Sequence, residues 1–153
     1  MRRRTFLSNG GQLSLALCLP LTLNKRSSAA SMPSELTSLT ATELSRAIYQ
    51  KEASCFEVMQ AYLERIHKYN DIYNAIVSLQ PDDLLLQQAR DADNELANGI
   101  YRGWMHGMPH AVKDLTAVRG IRYTSGSPIY SSRIAEQDSA MVARIRGAGA
   151  IFI

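Results

Sequence analysis

From residue 40 onward the apolar positions recur at helical spacing. Thr40-x-x-Glu43 has the form of a capping box, in which hydroxyl and carboxylate each take a backbone N–H at a helix start. It predicts a helix running to about Lys51, with Leu44, Ala47 and Ile48 on its apolar face. Ser54-x-x-Glu57 repeats the signal, and the helix after it sets Phe56, Met59, Leu63 and Ile66 on one side with Tyr62 and Tyr69 beside them. Such faces need a partner layer, so these aromatic residues read as core and not as a ligand box. Pro81-Asp82-Asp83 opens a third helix, because proline suits a first turn and acids complement the helix dipole there. Leu85, Ala89, Ala92 and Leu96 mark its buried face, and Gly99 is placed to end it.

Between the helices the pattern changes to short apolar runs. Residues 75–79 and Ala111-Val112 read as strands, and Ala150-Ile151-Phe152-Ile153 as the start of a buried one. Gly103, Gly107 and Pro109 break the chain into a loop, and Thr124-Ser125-Gly126-Ser127-Pro128 is rich in turn formers. Asp138 reads as the N-cap of a last helix carrying Met141, Val142 and Ile145, ended by Gly147 and Gly149. Residues 31–38, polar and containing Pro33, read as a linker. Strand, helix, strand in that order predicts an α/β fold with a parallel sheet, which needs cover on both faces. The helices cover only part of such a sheet, so the expectation is an incomplete fold.

Composition narrows the class. With 46% hydrophobic and 20% charged residues, the chain is that of a soluble globular protein. Its net charge of +3 is unevenly spread: Arg2, Arg3, Arg4, Lys25 and Arg26 place five positive charges and no acid in residues 1–30, which leaves −2 for the rest. No basic patch with interleaved aromatic residues is present, so nucleic-acid binding is not expected. The basic start, the apolar run from Leu13 to Leu23 broken by Pro20, and Ser28-Ala29-Ala30 have the layout of a secretory signal. The run is shorter than the about 20 apolar residues that span a bilayer. Arg3-Arg4-x-Phe6-Leu7 resembles the twin-arginine export pattern. The expectation is an export signal over 1–30 and a mature chain over 31–153 that is periplasmic or secreted, without a stable membrane anchor. Removing the signal takes Cys18 and leaves Cys55 without an internal disulfide partner, as a packed apolar residue.

Three segments carry chemistry. They are Gly103-x-x-x-Gly107-Met108-Pro109-His110-Ala111-Val112-Lys113-Asp114, Thr124-Ser125-Gly126-Ser127-Pro128, and the run from Asp138 to Ala150. Together with Leu36-Thr37-x-Leu39-x-Ala41-x-Glu43-Leu44, the stretch 61–66 and Asn74-Ala75-Ile76-Val77, in this order, they resemble the N-terminal part of the amidase signature family over residues 36–153. The resemblance implies helices packed on the first strands of a large mixed sheet, and hydrolysis of amide C–N bonds with no metal or organic cofactor. It implies a Ser–cis-Ser–Lys set in which Lys113 is the catalytic proton acceptor. Lys113 would act on a serine held by a cis peptide bond, which bridges to the nucleophilic serine.

The chemistry is coherent. A serine hydroxyl is a poor nucleophile until a base takes its proton. A lysine is that base only when neutral, which requires a pKa brought down from about 10.4. Burial does this, and Pro109, Ala111 and Val112 offer an apolar setting. In the family both serines lie in a downstream Gly/Ser-rich segment. Ser125 and Ser127 match a different segment, so no nucleophile is assigned.

Taken without the family, Lys113 is a lysine that snorkels to solvent, Asp114 a turn or cap residue, and His106 and His110 packing or surface residues with no third ligand to make a metal site. The reading is therefore the N-terminal portion of an exported amidase of small-molecule amides, inactive by itself. One alternative is a non-catalytic interaction module whose sheet edge pairs with a partner chain. The other is one subunit of an aminoacyl-tRNA amidotransferase, which shares the signature but works in the cytoplasm.

Overall fold

The structure, a computed structural model, describes residues 33–153. The export-signal reading of residues 1–30 lies outside the described residues. The elements are α1 (Pro33–Leu36), α2 (Ala41–Tyr49), α3 (Cys55–Tyr73), α4 (Asp82–Ala97), β1 (Pro109–His110), a single 3-10 turn (Pro128–Tyr130), α5 (Ala140–Gly147) and β2 (Ile151–Phe152).

Both capping boxes form. Thr40 Oγ1 accepts the Glu43 N–H at 3.3 Å while Glu43 Oε2 accepts the Thr40 N–H at 2.9 Å. Ser54 and Glu57 do the same at 3.1 and 2.9 Å. The start of α3 has a further cap from far along the chain. The Asp93 carboxylate accepts the N–H groups of Cys55 at 2.7 Å and Phe56 at 3.0 Å, which ties α4 to the start of α3. α4 begins with Asp82 and Asp83 in its first turn, and Gly99 follows its end in the left-handed region at φ 81°.

α2, α3 and α4 close on one core that contains Leu44, Ile48, Val58, Met59, Leu63 and Leu85. β1 and β2 pair in parallel, with Pro109 opposite Ile151 and His110 opposite Phe152. Successive strand residues point to opposite faces. Ile151 accordingly joins the helical core, and Phe152 joins a second cluster with Val118 and Val142 of α5. The strand pair is thus covered on both faces, as a parallel pair requires.

Four expectations are corrected. Residues 31–38 are not all linker: Pro33–Leu36 is helical, and Leu36, 3% exposed, is part of the helical core. Residues 75–79 are not a strand. Side chains meet their backbone groups instead: Asn70 donates to Ile76 O and accepts from Ile76 N, both at 2.9 Å, and Arg122 donates to Val77 O at 2.6 Å. The strand expected at Ala111-Val112 lies two residues earlier, at Pro109–His110. The Gly107 N–H bonds to Gly149 O at 2.8 Å, and that contact between the two loops sets where the ladder begins. Finally, the N-cap of α5 is Ser139, whose hydroxyl accepts the Val142 N–H at 3.4 Å. Asp138 is drawn off by the Arg146 guanidinium at 2.7 and 3.1 Å and by the Arg119 N–H at 2.7 Å, because a two-pronged charged pair outweighs a neutral cap.

Candidate active site

β1 carries the chain to Lys113. The last ladder bond runs from Ile153 N to His110 O at 3.2 Å, and Ala111 to Lys113 continue without strand partners. Lys113 O then accepts the Thr116 N–H at 2.8 Å, turning the chain away. The lysine side chain lies exposed on the rim of a cleft of about 280 Å³. Ile76, Val77, Val112, Val118 and Ile153 give the cleft apolar walls, with Ser78 among them. The buried setting expected for Lys113 is therefore absent: Ala111 is exposed too, and Pro109 and Val112 are only half-buried. Beyond His110 no neighbouring strand pairs with the segment among the described residues, and Val112 alone of residues 111–113 packs against the Val118, Val142 and Phe152 cluster.

Asp114 is the organiser of the loop beside the lysine. Its carboxylate accepts the N–H of Thr124 at 2.8 Å and of Gly126 at 3.2 Å, and also the Thr124 hydroxyl. These bonds, the Thr124 hydroxyl first, hold the Asp114 carboxyl below its ordinary range. Its backbone carbonyl takes the N–H of Ser125, which sits at φ 53°. The turn reading of Asp114 is what the structure shows, and its reach to Thr124–Gly126 is the part that spacing did not disclose.

Both loop serines have structural partners. Ser125 Oγ accepts from Arg133 at 2.9 Å, and Ser127 Oγ accepts the Ile129 N–H at 3.4 Å at the head of the 3-10 turn. Arg133 is itself stacked over the rings of Tyr123 at 3.8 Å and Tyr130 at 4.3 Å.

His106 and His110 are packing residues. His106 is 1% exposed. Its Nδ1 accepts the Arg102 N–H at 3.3 Å, which leaves Nε2–H to donate to Ala92 O at 2.9 Å. His110 meets the Phe152 ring edge-on, and burial lowers its pKa by disfavouring the charged ring. No group of three or more His, Cys, Asp or Glu residues that could hold a metal exists among the described residues. Cys55 is fully buried as an unpaired thiol at the start of α3, and burial followed by the nearby Asp93 charge pushes its pKa far up.

The lysine thus lies on the segment that leaves a covered parallel strand pair, beside a cleft and a carboxylate-clasped turn, in a mixed α/β fold. The family model described as Amidase matches residues 57–153, and the chain belongs to that family. Over 119 residues it is 36% identical to a glutamyl-tRNA(Gln) amidotransferase subunit of Salinispora tropica, covering 78% of this chain and 24% of that protein. It is 42% identical over 110 residues to the corresponding protein of Burkholderia ambifaria, covering 72% of this chain and 22% of the relative. The native peptide amidase of Stenotrophomonas maltophilia superposes with a TM-score of 0.67 at 28% identity, over 74% of this chain and 23% of that one. The chain thus spans about a quarter or less of the length of these relatives.

Proposed function

We propose that this chain is the N-terminal, lysine-bearing portion of an exported amidase that cleaves amide C–N bonds by a Ser–cis-Ser–Lys mechanism. Lys113 takes the proton of the bridging serine, and both serines are contributed by sequence outside this chain. The observation that carries the reading is the place of Lys113, three residues beyond β1 and on the rim of a cleft, within the segment that the Amidase family model matches. In this reading the cleft closes when the serine-bearing part docks over it, and the lysine then loses its exposure to water. The export signal over 1–30 directs the protein to the periplasm or beyond, and the substrate is a small-molecule amide.

The test pairs labelling with turnover. A serine-directed fluorophosphonate should leave the purified 153-residue chain unlabelled. The complete product of the gene should be labelled and hydrolyse an amide panel, and Lys113→Ala should lower its rate by roughly 10²–10⁴, the usual contribution of a positioned proton acceptor. Serine labelling of the 153-residue chain, or full activity in Lys113→Ala, would sink the reading.

A second reading, one subunit of an aminoacyl-tRNA amidotransferase, is favoured by the identity of 36% and 42% to the two amidotransferase proteins. Fractionation of tagged protein separates the two. Periplasmic recovery supports the exported amidase, and cytoplasmic recovery with co-purifying subunits supports the amidotransferase.

A further inference from the structure

Two residues that line the cleft carry polar groups without partners among the described residues. Ser78 Oγ is buried and makes no hydrogen bond. The Lys113 side chain forms no hydrogen bond or ion pair with another described residue. Both line the same cleft of about 280 Å³. A buried hydroxyl without a partner is rare in folded proteins and calls for a specific cause.

The other charged groups at the cleft are already occupied. Arg122 donates to Val77 O, and the Asp114 carboxylate is turned to Thr124 and Gly126. Ser78 is on a segment held in place, with Ile76 bonded twice by Asn70 and Val77 by Arg122. Lys113 sits at the end of a flexible four-carbon stem with rotatable donors. The fixed member is the acceptor and the mobile member is the donor.

We propose that Ser78 is a positioning residue for Lys113: its hydroxyl accepts an N–H of the lysine side chain and draws it from the rim into the cleft. In the neutral amine, one N–H given to Ser78 leaves the lone pair free to take a proton from a serine opposite. As a role in catalysis this rests on the amidase reading, whereas the pairing itself does not.

The test therefore reads the lysine and not turnover. The whole 153-residue chain is acetylated at fixed pH with an amine-reactive ester, and rates are read peptide by peptide in the mass spectrometer. Lys51 and Lys68, both exposed, are the internal references. A bonded amine reacts slowly. Ser78→Ala should raise the Lys113 rate roughly five-fold against the references, as loss of one ordinary hydrogen bond does. Ser78→Thr, which keeps the hydroxyl, should hold the original rate. An unchanged Lys113 rate in Ser78→Ala, or equal rises at all three lysines, overturns the proposal. So does a Ser78→Ala chain that fails to fold by circular dichroism, since the hydroxyl would then be serving a structural partner. If the labelling result holds but the complete gene product shows no lysine-dependent amidase activity, the pairing stands and only the amidase reading falls.

Discussion

Gly107 stands in the left-handed region at φ 71°, and a Cβ built there would lie 2.1 Å from Cys55 Sγ. Two causes thus converge on one residue, the backbone conformation and the close approach of the loop to α3. Gly107→Ala should cost about 2–4 kcal/mol, from the strained φ together with overpacking against the thiol. A chemical-denaturation midpoint well below that of the parent chain checks it. His110 gives a second prediction at this scale. Its folded pKa lies below the ordinary histidine value of 6.5, because burial disfavours the charged ring. The unfolded chain therefore binds the proton more readily as pH drops. His110 imposes no penalty above about pH 6.5, and stability is lost as pH falls from there through the lower folded value. Melting curves from pH 7.5 to 5 should show a steeper decline in the parent chain than in His110→Phe, which keeps an aromatic ring on Phe152 without the proton.

At the scale of elements, the ends of helices show how local and distant partners combine. The start of α3 is capped twice, by Ser54 next to it and by Asp93 from α4. Ser54-x-x-Glu57 is plain in the sequence because its partners are three residues apart. Asp93 carries no such signal, since its partners lie 37 and 38 positions away. Asp93→Ala removes the acceptor of two N–H groups that sit at the start of a buried helix, and should cost about 1–3 kcal/mol. Ser54→Ala, in the more exposed box, should cost about 1 kcal/mol. Urea unfolding of both variants tests the order, which fails if the serine change proves the costlier.

For the whole molecule, carboxylates clasp the long loop between β1 and α5. Asp114 holds Thr124–Gly126, and Asp138 holds Arg119 and Arg146. Both carboxyls have folded pKa values below 3.8, by hydrogen bonds to Thr124 and to Arg146 in the first place. The stability they contribute is fully present above the unfolded value and is lost as pH falls through the folded ones. As pH falls below about 4 these clasps should therefore weaken progressively and let the loop open. Limited proteolysis with pepsin at decreasing pH should cut first between residues 114 and 138, and Asp114→Asn should move the onset of cutting to higher pH. First cuts within α3 or α4 would contradict this.

The helices α2, α3 and α4 were legible because their signals are short-ranged: capping boxes spanning three residues, apolar spacing of three and four, and acids in a first turn. The family was legible in the glycine-, proline- and lysine-bearing segments of residues 103–114 and their order with the segments after them. The tertiary structure alone decided the features whose partners are distant. The bond from Gly107 to Gly149 moved β1 to Pro109–His110, and side chains of Asn70 and Arg122 replaced a strand at residues 75–79. Arg146 took Asp138 from the cap, and the ladder's end at His110 left Lys113 on an open rim beside a hydroxyl with no bond. Periodicity and caps depend on neighbours a few residues away, so the sequence by itself determined them. Register, ion pairs and burial depend on which remote groups arrive at the same place, and only the folded chain settles that.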